Sequence, residues 1–161
     1  MVPNLRTMEK ETIIQRLKEK GLSITSPRLA IIDVLVEQGH LHPGASFIYR
    51  EARKKHNSLS LSTTYATINE FNRHGIVKAL EFDGRENRCE VNLDDHINLI
   101  CDRCGKIIDY QPPLSIDRTD VAKTTGFIIT GNRTEYYGYC QDCGNDRDSA
   151  SPSGKRRNRR S

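Results

Sequence analysis

Four stretches in the first half of the chain carry apolar residues at helical spacing. Ile13, Ile14 and Leu17 share one face between Glu9 and Lys20, and Gly21 follows, which predicts a first helix. Ser26-Pro27 opens a second in the manner of an N-cap followed by Pro at the first helical position. Leu29, Ile31, Ile32, Leu35 and Val36 supply its apolar stripe to about Glu37. His40-Leu41-His42-Pro43-Gly44 reads as a loop. Ala45 to His56 makes a third helix that buries Phe47, Ile48 and Ala52 and exposes Arg50, Arg53, Lys54 and Lys55. Ser60-Leu61-Ser62 caps a fourth, Thr63 to His74, with Thr64, Ile68 and Phe71 on its apolar side and Gly75 as its stop. The period then changes to two. Val77 to Phe82 and Arg88 to Val91 flank the polar run Asp83-Gly84-Arg85-Glu86-Asn87, which predicts a β-hairpin.

Beyond Asn92 the pattern is that of a small α/β domain. Ile97 to Ile100, Lys106 to Tyr110, Gly126 to Thr130 and Thr134 to Tyr139 are strand candidates, and Ile116 to Thr125 is a helix candidate. From Asn145 the composition turns to Asp, Ser, Pro, Gly and basic residues, so residues 147–161 are expected to be a disordered basic tail. The fold class expected is α+β, with a winged helix-turn-helix over residues 1–91 and the α/β domain over residues 92–146. In that geometry the fourth helix offers Ser62, Thr63, Tyr65, Ala66 and Asn69 to the major groove, while Arg50, Arg53, Lys54, Lys55 and Arg73 hold phosphates. A solvated helix face is the ordinary alternative for the basic residues, and a core position is the alternative for Tyr65.

Charge sharpens this division. The net +4 of the 161 residues is +5 over residues 1–80, −5 over residues 81–147 and +4 over the rest, so a basic front half suited to a polyanion precedes an acidic half suited to cations. Met1 to Lys20 has no apolar h-region, and no stretch reaches the apolar length of a membrane span, so a soluble cytoplasmic protein with no membrane partner is expected.

The acidic half holds two knuckles, Cys101-Asp102-Arg103-Cys104-Gly105 and Cys140-Gln141-Asp142-Cys143-Gly144, with 35 residues between Cys104 and Cys140. C-x2-C spacing sets two thiolates of one tight turn on adjacent corners of a tetrahedron, and Gly105 and Gly144 are free to take positive φ. Four sulfurs make a closed structural zinc site, preferred here over two disulfides or a thioredoxin-type redox pair. A second set of donors gathers around the first knuckle: His96 lies five residues before Cys101, Asp109 five after Cys104, Glu90 on the outgoing strand of the hairpin, and His42 in the loop of the first half. Imidazole with carboxylate suits Fe(II), Mn(II), Ni(II) or Zn(II). Each residue has an ordinary alternative: His42 orienting its loop, Glu90 facing solvent, Asp109 capping a turn.

Ile24-Thr25-Ser26-Pro27-Arg28, His42-Pro43-Gly44-Ala45, Leu61-Ser62-Thr63-Thr64-Tyr65, His96 with Cys101 to Asp109, and Tyr137-Gly138-Tyr139-Cys140-Gln141-Asp142-Cys143 together resemble the Fur family of metal-responsive transcriptional regulators, in order from about residue 9 to 144. The resemblance implies a homodimeric repressor of palindromic operators, with residues 92–146 as dimerisation domain. It implies Cys101, Cys104, Cys140 and Cys143 as structural zinc ligands, and His42, Glu90, His96 and Asp109 as ligands of a regulatory Fe(II) or Mn(II). Asn98 stands where the family commonly has a second histidine, leaving an amide oxygen as ligand, a four-ligand site, or impaired sensing. Gly131-Asn132 replaces a histidine found in some members. Cys89 stands where an aromatic is common, and since adjacent strand residues face opposite sides, either Cys89 or Glu90 can ligate; Glu90 is preferred. The wording around His42, Lys106 to Asp109 and Cys140 to Cys143 is most similar to the peroxide-sensing branch, in which bound Fe(II) directs oxidation of a ligand histidine, here His42 or His96. A zinc- or iron-uptake regulator, a metal-blind relative and a zinc-stabilised redox enzyme or hydrolase are the alternatives.

Overall fold

Apolar residues at helical spacing build α1 (Lys10–Glu19), α2 (Ser26–Gln38), α3 (Ala45–Lys55) and α4 (Leu61–Arg73), with a short 3-10 turn at Gly39–Leu41 after α2. The computed structural model describes residues 9–82, 84–112 and 116–145, so the basic tail lies outside the described residues. The chain divides into two compact units, residues 1–95 and 96–161.

In the first unit α1 delivers Ile13 and Leu17 to the core, α3 delivers Ile48 and Ala52, and α4 delivers Ile68 and Phe71. Helix α2 is buried more broadly than a single stripe, through Ala30, Ile31, Ile32, Val34 and Leu35, and it packs against both α1 and α3. Ile13, Leu17, Ile31, Ile32, Ile48 and Phe71 are all fully inaccessible. Burial of each such side chain stabilises the unit by about 1.5–3 kcal/mol. Helix starts differ slightly from expectation. Thr25, without a side-chain bond, is the N-cap of α2, and Pro27 falls within the first two helical positions, where a missing N–H costs nothing. Helix α4 begins two residues early, at Leu61, because Ser60 rather than Ser62 caps it, its Oγ accepting from the Thr63 N–H at 3.1 Å.

The wing follows as β1 (Lys78–Leu80) and β2 (Arg88–Glu90), antiparallel, with Lys78 opposite Glu90, Ala79 opposite Cys89 and Leu80 opposite Arg88. A winged helix-turn-helix is therefore the architecture of this unit.

The second unit is a three-stranded sheet in the order β4-β3-β5. Strand β3 (Ile97–Cys101) pairs antiparallel with β4 (Ile107–Tyr110) and parallel with β5 (Thr134–Gly138). Helix α5 (Arg118–Thr125) lies in the crossover, capped by the Asp117 carboxylate, which accepts from the Thr119 N–H at 2.7 Å, and ended by Gly126 at φ 70°. The strand expected over Gly126 to Thr130 is absent. Both edges of β3 are already paired, and Phe127 and Ile128 stand exposed. A last helical turn, α6 (Gln141–Gly144), carries the second cysteine knuckle. No helix among the described residues is long and apolar enough to cross a membrane.

Candidate DNA-reading helix and metal centres

Helix α4 turns Thr64, Thr67, Ile68 and Phe71 inward and leaves Ser62, Thr63, Tyr65, Ala66 and Asn69 exposed. Tyr65 is thus a surface residue, 40% exposed. Arg50, Lys54 and Arg73 are exposed as well. Several basic side chains already have contacts: Lys54 meets Glu51 at 2.6 Å, Lys55 meets Glu37 at 2.6 Å, and Arg53 donates to the Tyr49 hydroxyl at 2.6 Å. Surface pairs of this kind are worth little and exchange readily for phosphate contacts.

His42 and Glu90 meet inside the first unit. The 3-10 turn ends with the His42 N–H donating to the Gly39 carbonyl at 2.9 Å, and His42 takes the left-handed conformation, φ 48° and ψ 63°. A non-glycine residue there costs about 1–2 kcal/mol and is a pointer to function. Strand β2 is fixed beside this loop by the Cys89 N–H, which donates to the Pro43 carbonyl at 2.9 Å, and by the bridge between Gly44 and Arg88. That register places Glu90 Oε2 3.1 Å from His42 Nε2, while Glu90 Oε1 accepts from the Asn92 N–H at 2.6 Å. The two side chains are 1% and 2% exposed, so Glu90 is not the solvent-facing residue a half-buried strand allows. Cys89 points the other way, into the apolar core. Burial, reinforced by Glu86 and Glu90, pushes its thiol up to about 12, so it stays protonated and inert.

In the second unit His96 lies immediately before β3, with its Nε2 4.0 Å from Asp109 Oδ2, both side chains nearly inaccessible. Asn98 and Asp109 are cross-strand partners, so the three residues share one face of the sheet. The Asn98 side-chain oxygen is buried and has no hydrogen-bond partner among the described residues. An amide oxygen in that position fits a ligand atom awaiting a cation.

The cysteine knuckles are brought together by the sheet. Cys101 ends β3 and sits opposite Gly138 of β5, whose carbonyl accepts from the Asp102 N–H at 2.8 Å. Gly105, at φ 74°, closes the first knuckle with its N–H donating to the Cys101 carbonyl. Gly144 does not take a positive φ: the second knuckle closes as a helical turn, Gly144 N–H to the Cys140 carbonyl at 2.7 Å. All four sulfurs lie within 4.8 Å of one another, with Cys104 and Cys140 at 3.7 Å. A tetrahedral ion with Zn–S bonds of about 2.3 Å sets its sulfurs about 3.8 Å apart, so the set fits zinc. Burial raises the Cys101 thiol, but N–H groups of Cys104, Cys140 and Arg103 outweigh it and bring it down to about 6. Burial and then the Cys140, Cys104 and Cys101 sulfurs hold Cys143 up to about 12. Arg103 braces the pair, donating to the Cys143 carbonyl at 2.9 Å and lying 5.7 Å from the Tyr139 ring centre. Neither Arg103 nor Glu86, which contacts α3 and α4, stands out in the sequence, since nothing local distinguishes them from other polar residues.

The ferric uptake regulator family profile matches residues 19–137. The peroxide operon regulator of Bacillus subtilis is 36% identical over 137 residues, covering 84% of this chain and 93% of that protein. The peroxide-responsive repressor PerR of Staphylococcus epidermidis is 35% identical over 136 residues, covering 84% and 90%. Among solved structures, the Helicobacter pylori ferric uptake regulator Fur, described as having three functional metal binding sites, superimposes with a TM-score of 0.70 at 25% identity, covering 86% of this chain and 96% of that one. The Vibrio cholerae ferric uptake regulator gives 0.62 at 30% identity, covering 78% and 98%. A winged-helix unit, a four-cysteine cluster and a profile match over most of the chain agree, and the chain belongs to the ferric uptake regulator family.

Proposed function

We propose that the protein is a metal-dependent transcriptional repressor, not an enzyme, that binds palindromic operator DNA as a homodimer and responds to peroxide. Residues 1–91 form the reading head, with Ser62, Thr63, Tyr65, Ala66 and Asn69 toward the bases and Arg50 and Lys54 toward phosphates. Residues 92–146 form the dimerisation domain. Cys101, Cys104, Cys140 and Cys143 hold a structural zinc, a closed set with no open corner for substrate.

The observation that carries the reading is the burial of a histidine and a carboxylate 3.1 Å apart, the histidine on a left-handed backbone. In this proposal His42 and Glu90 from the first unit join His96, Asp109 and the Asn98 oxygen from the second around Fe(II) or Mn(II). Nitrogen with hard oxygen donors suits these metals, and a shared cation couples its occupancy to the relative orientation of the two units. Bound Fe(II) would supply the electrons that reduce peroxide. His42 and His96 are the imidazoles exposed to that oxidation, and loss of either removes the only nitrogen donor its unit contributes. The peroxide-regulator names of relatives at 35–36% identity support the same reading.

Binding to a palindromic duplex with and without Mn(II) tests it. Tightening by metal is expected, and His96→Ala abolishes the effect with zinc content unchanged. Equal binding with and without metal overturns the metal switch, and no binding at all overturns the DNA-reading function.

A further inference from the structure

The tip of the wing carries a carboxylate with no place in the metal chemistry. Glu86 reaches back from the hairpin, and one of its oxygens, Oε1, accepts three hydrogen bonds: from the Tyr65 hydroxyl at 2.7 Å, and from the Ser46 N–H and the Ser46 hydroxyl, each at 2.8 Å. Ser46 is the second residue of α3, so the negative charge lies over the first turn of that helix, where the helix dipole favours it. The other oxygen packs against Gly44, where an added Cβ would collide with the carboxylate. The backbone of Gly44 is ordinary, φ −79°, so an alanine there strains no backbone and is accommodated only by displacing the Glu86 carboxylate. One side chain thereby joins α3, α4 and the wing.

A phenol has a single proton to donate. That of Tyr65 is directed at Glu86, and what the phenolic oxygen retains is the capacity to accept. Resting on the reading of α4 as the DNA-reading helix, we propose that Glu86 is a positioning residue that fixes Tyr65 as a hydrogen-bond acceptor at the DNA surface, so that Tyr65 selects bases presenting an exocyclic amino group in the major groove. Those bases are adenine, through N6, and cytosine, through N4. Thymine O4 and guanine O6 and N7 are acceptors, and set opposite Tyr65 they meet lone pair with lone pair. A tyrosine without Glu86 rotates its proton to suit either kind of edge and loses this discrimination.

In vitro selection from randomised DNA duplexes, using the full chain loaded with zinc and Mn(II), tests the proposal. Tyr65→Phe identifies the base position that Tyr65 reads. At that position the wild type is expected to favour adenine or cytosine on the contacted strand by about five- to tenfold, the lower end of what one base contact discriminates. Glu86→Ala removes the preference. Gly44→Ala does the same by a separate route, because its methyl group displaces the carboxylate while Tyr65 and Ser46 stay intact. Glu86→Gln keeps the preference, since an amide oxygen still accepts the phenolic proton. A preference unchanged in both Glu86→Ala and Gly44→Ala overturns the proposal, as does a wild-type preference for thymine or guanine. Glu86→Gln behaving like Glu86→Ala overturns it too, since charge and not hydrogen-bond direction would then be at work. If the wild type selects no sequence at all, the DNA-reading function itself fails and the inference falls with it.

Discussion

Glu90→Gln is a perturbation whose size depends on whether metal is present. In the protein without a regulatory cation, Glu90 is a carboxylate with a 2% exposed side chain, touching His42 at 3.1 Å and the Asn92 N–H at 2.6 Å. Glutamine has the same shape. Its oxygen still accepts from Asn92, and its amide can donate to the imidazole, so neither of these contacts is lost. An isosteric swap that keeps both hydrogen bonds changes the metal-free stability by about 1 kcal/mol or less. With metal the effect is larger. Saturating Mn(II) at a hundred times its dissociation constant stabilises the native state by about 2.7 kcal/mol. Exchanging an anionic ligand for an amide that lowers affinity a hundredfold removes nearly all of that stabilisation. Thermal unfolding followed by circular dichroism, with and without Mn(II), measures both. For a 95-residue unit each kcal/mol is about 4–8 °C. The expected result is a metal-free Tm within a few degrees of wild type, together with the loss of a Mn(II)-induced rise of roughly 10–20 °C. A metal-free variant destabilised by more than about 2 kcal/mol that keeps the full Mn(II) rise would refute the assignment, making Glu90 a structural residue.

Three further outcomes are expected. Cys140→Ser takes one sulfur from a set that lies within 4.8 Å, so zinc content measured by elemental analysis should fall toward zero and the second unit should lose its cooperative unfolding; full zinc retention would sink the staple assignment. Phe71→Ala empties a fully buried site of α4 and should cost about 3–5 kcal/mol in urea titration, with loss of DNA binding following loss of fold. For Glu86, burial raises the carboxyl, but the Tyr65 hydroxyl and the Ser46 donors outweigh it and set it below its ordinary value of 4.5. A carboxyl lower in the folded than in the unfolded protein stabilises at pH values above 4.5 and loses that contribution as pH falls through its folded value. The stability difference between wild type and Glu86→Gln should therefore be constant at neutral pH and shrink in acid, and a difference that does not change with pH would contradict the three-donor geometry.

The helices of the first unit were legible because each announces itself locally, by apolar residues three and four apart and by a stop such as Gly21 or Gly75. The run Phe127-Ile128-Ile129-Thr130, three of its four residues β-branched, has equal local promise as a strand, yet it joins neither sheet and Phe127 and Ile128 stand exposed, so local propensity is not enough without a ladder partner. The cysteine set was legible for the opposite reason: C-x2-C spacing is a local geometric requirement of one metal. The contact between His42 and Glu90 spans 48 positions, so no periodicity could have paired them; their donor chemistry named them and the resemblance implied them as ligands, and a backbone hydrogen bond from Cys89 to Pro43 sets the register that decides which of Cys89 and Glu90 faces the histidine. Glu86 was not legible at all. Its role depends on Gly44 just before α3 and on hydroxyls from α3 and α4, each unremarkable alone.

The parallel pairing of β3 with β5 has a mechanical corollary. Strands β3 and β4 form a hairpin joined by the first knuckle and can zip locally, whereas β5 must return across more than twenty residues to reach its seat, a closure opposed by chain entropy. The second knuckle begins two residues after β5 ends, so an ion held by both knuckles acts as a clasp at the far end of that return path. Withdraw the ion and the third strand is the first to peel away, leaving a two-stranded remnant too small to stand alone in water.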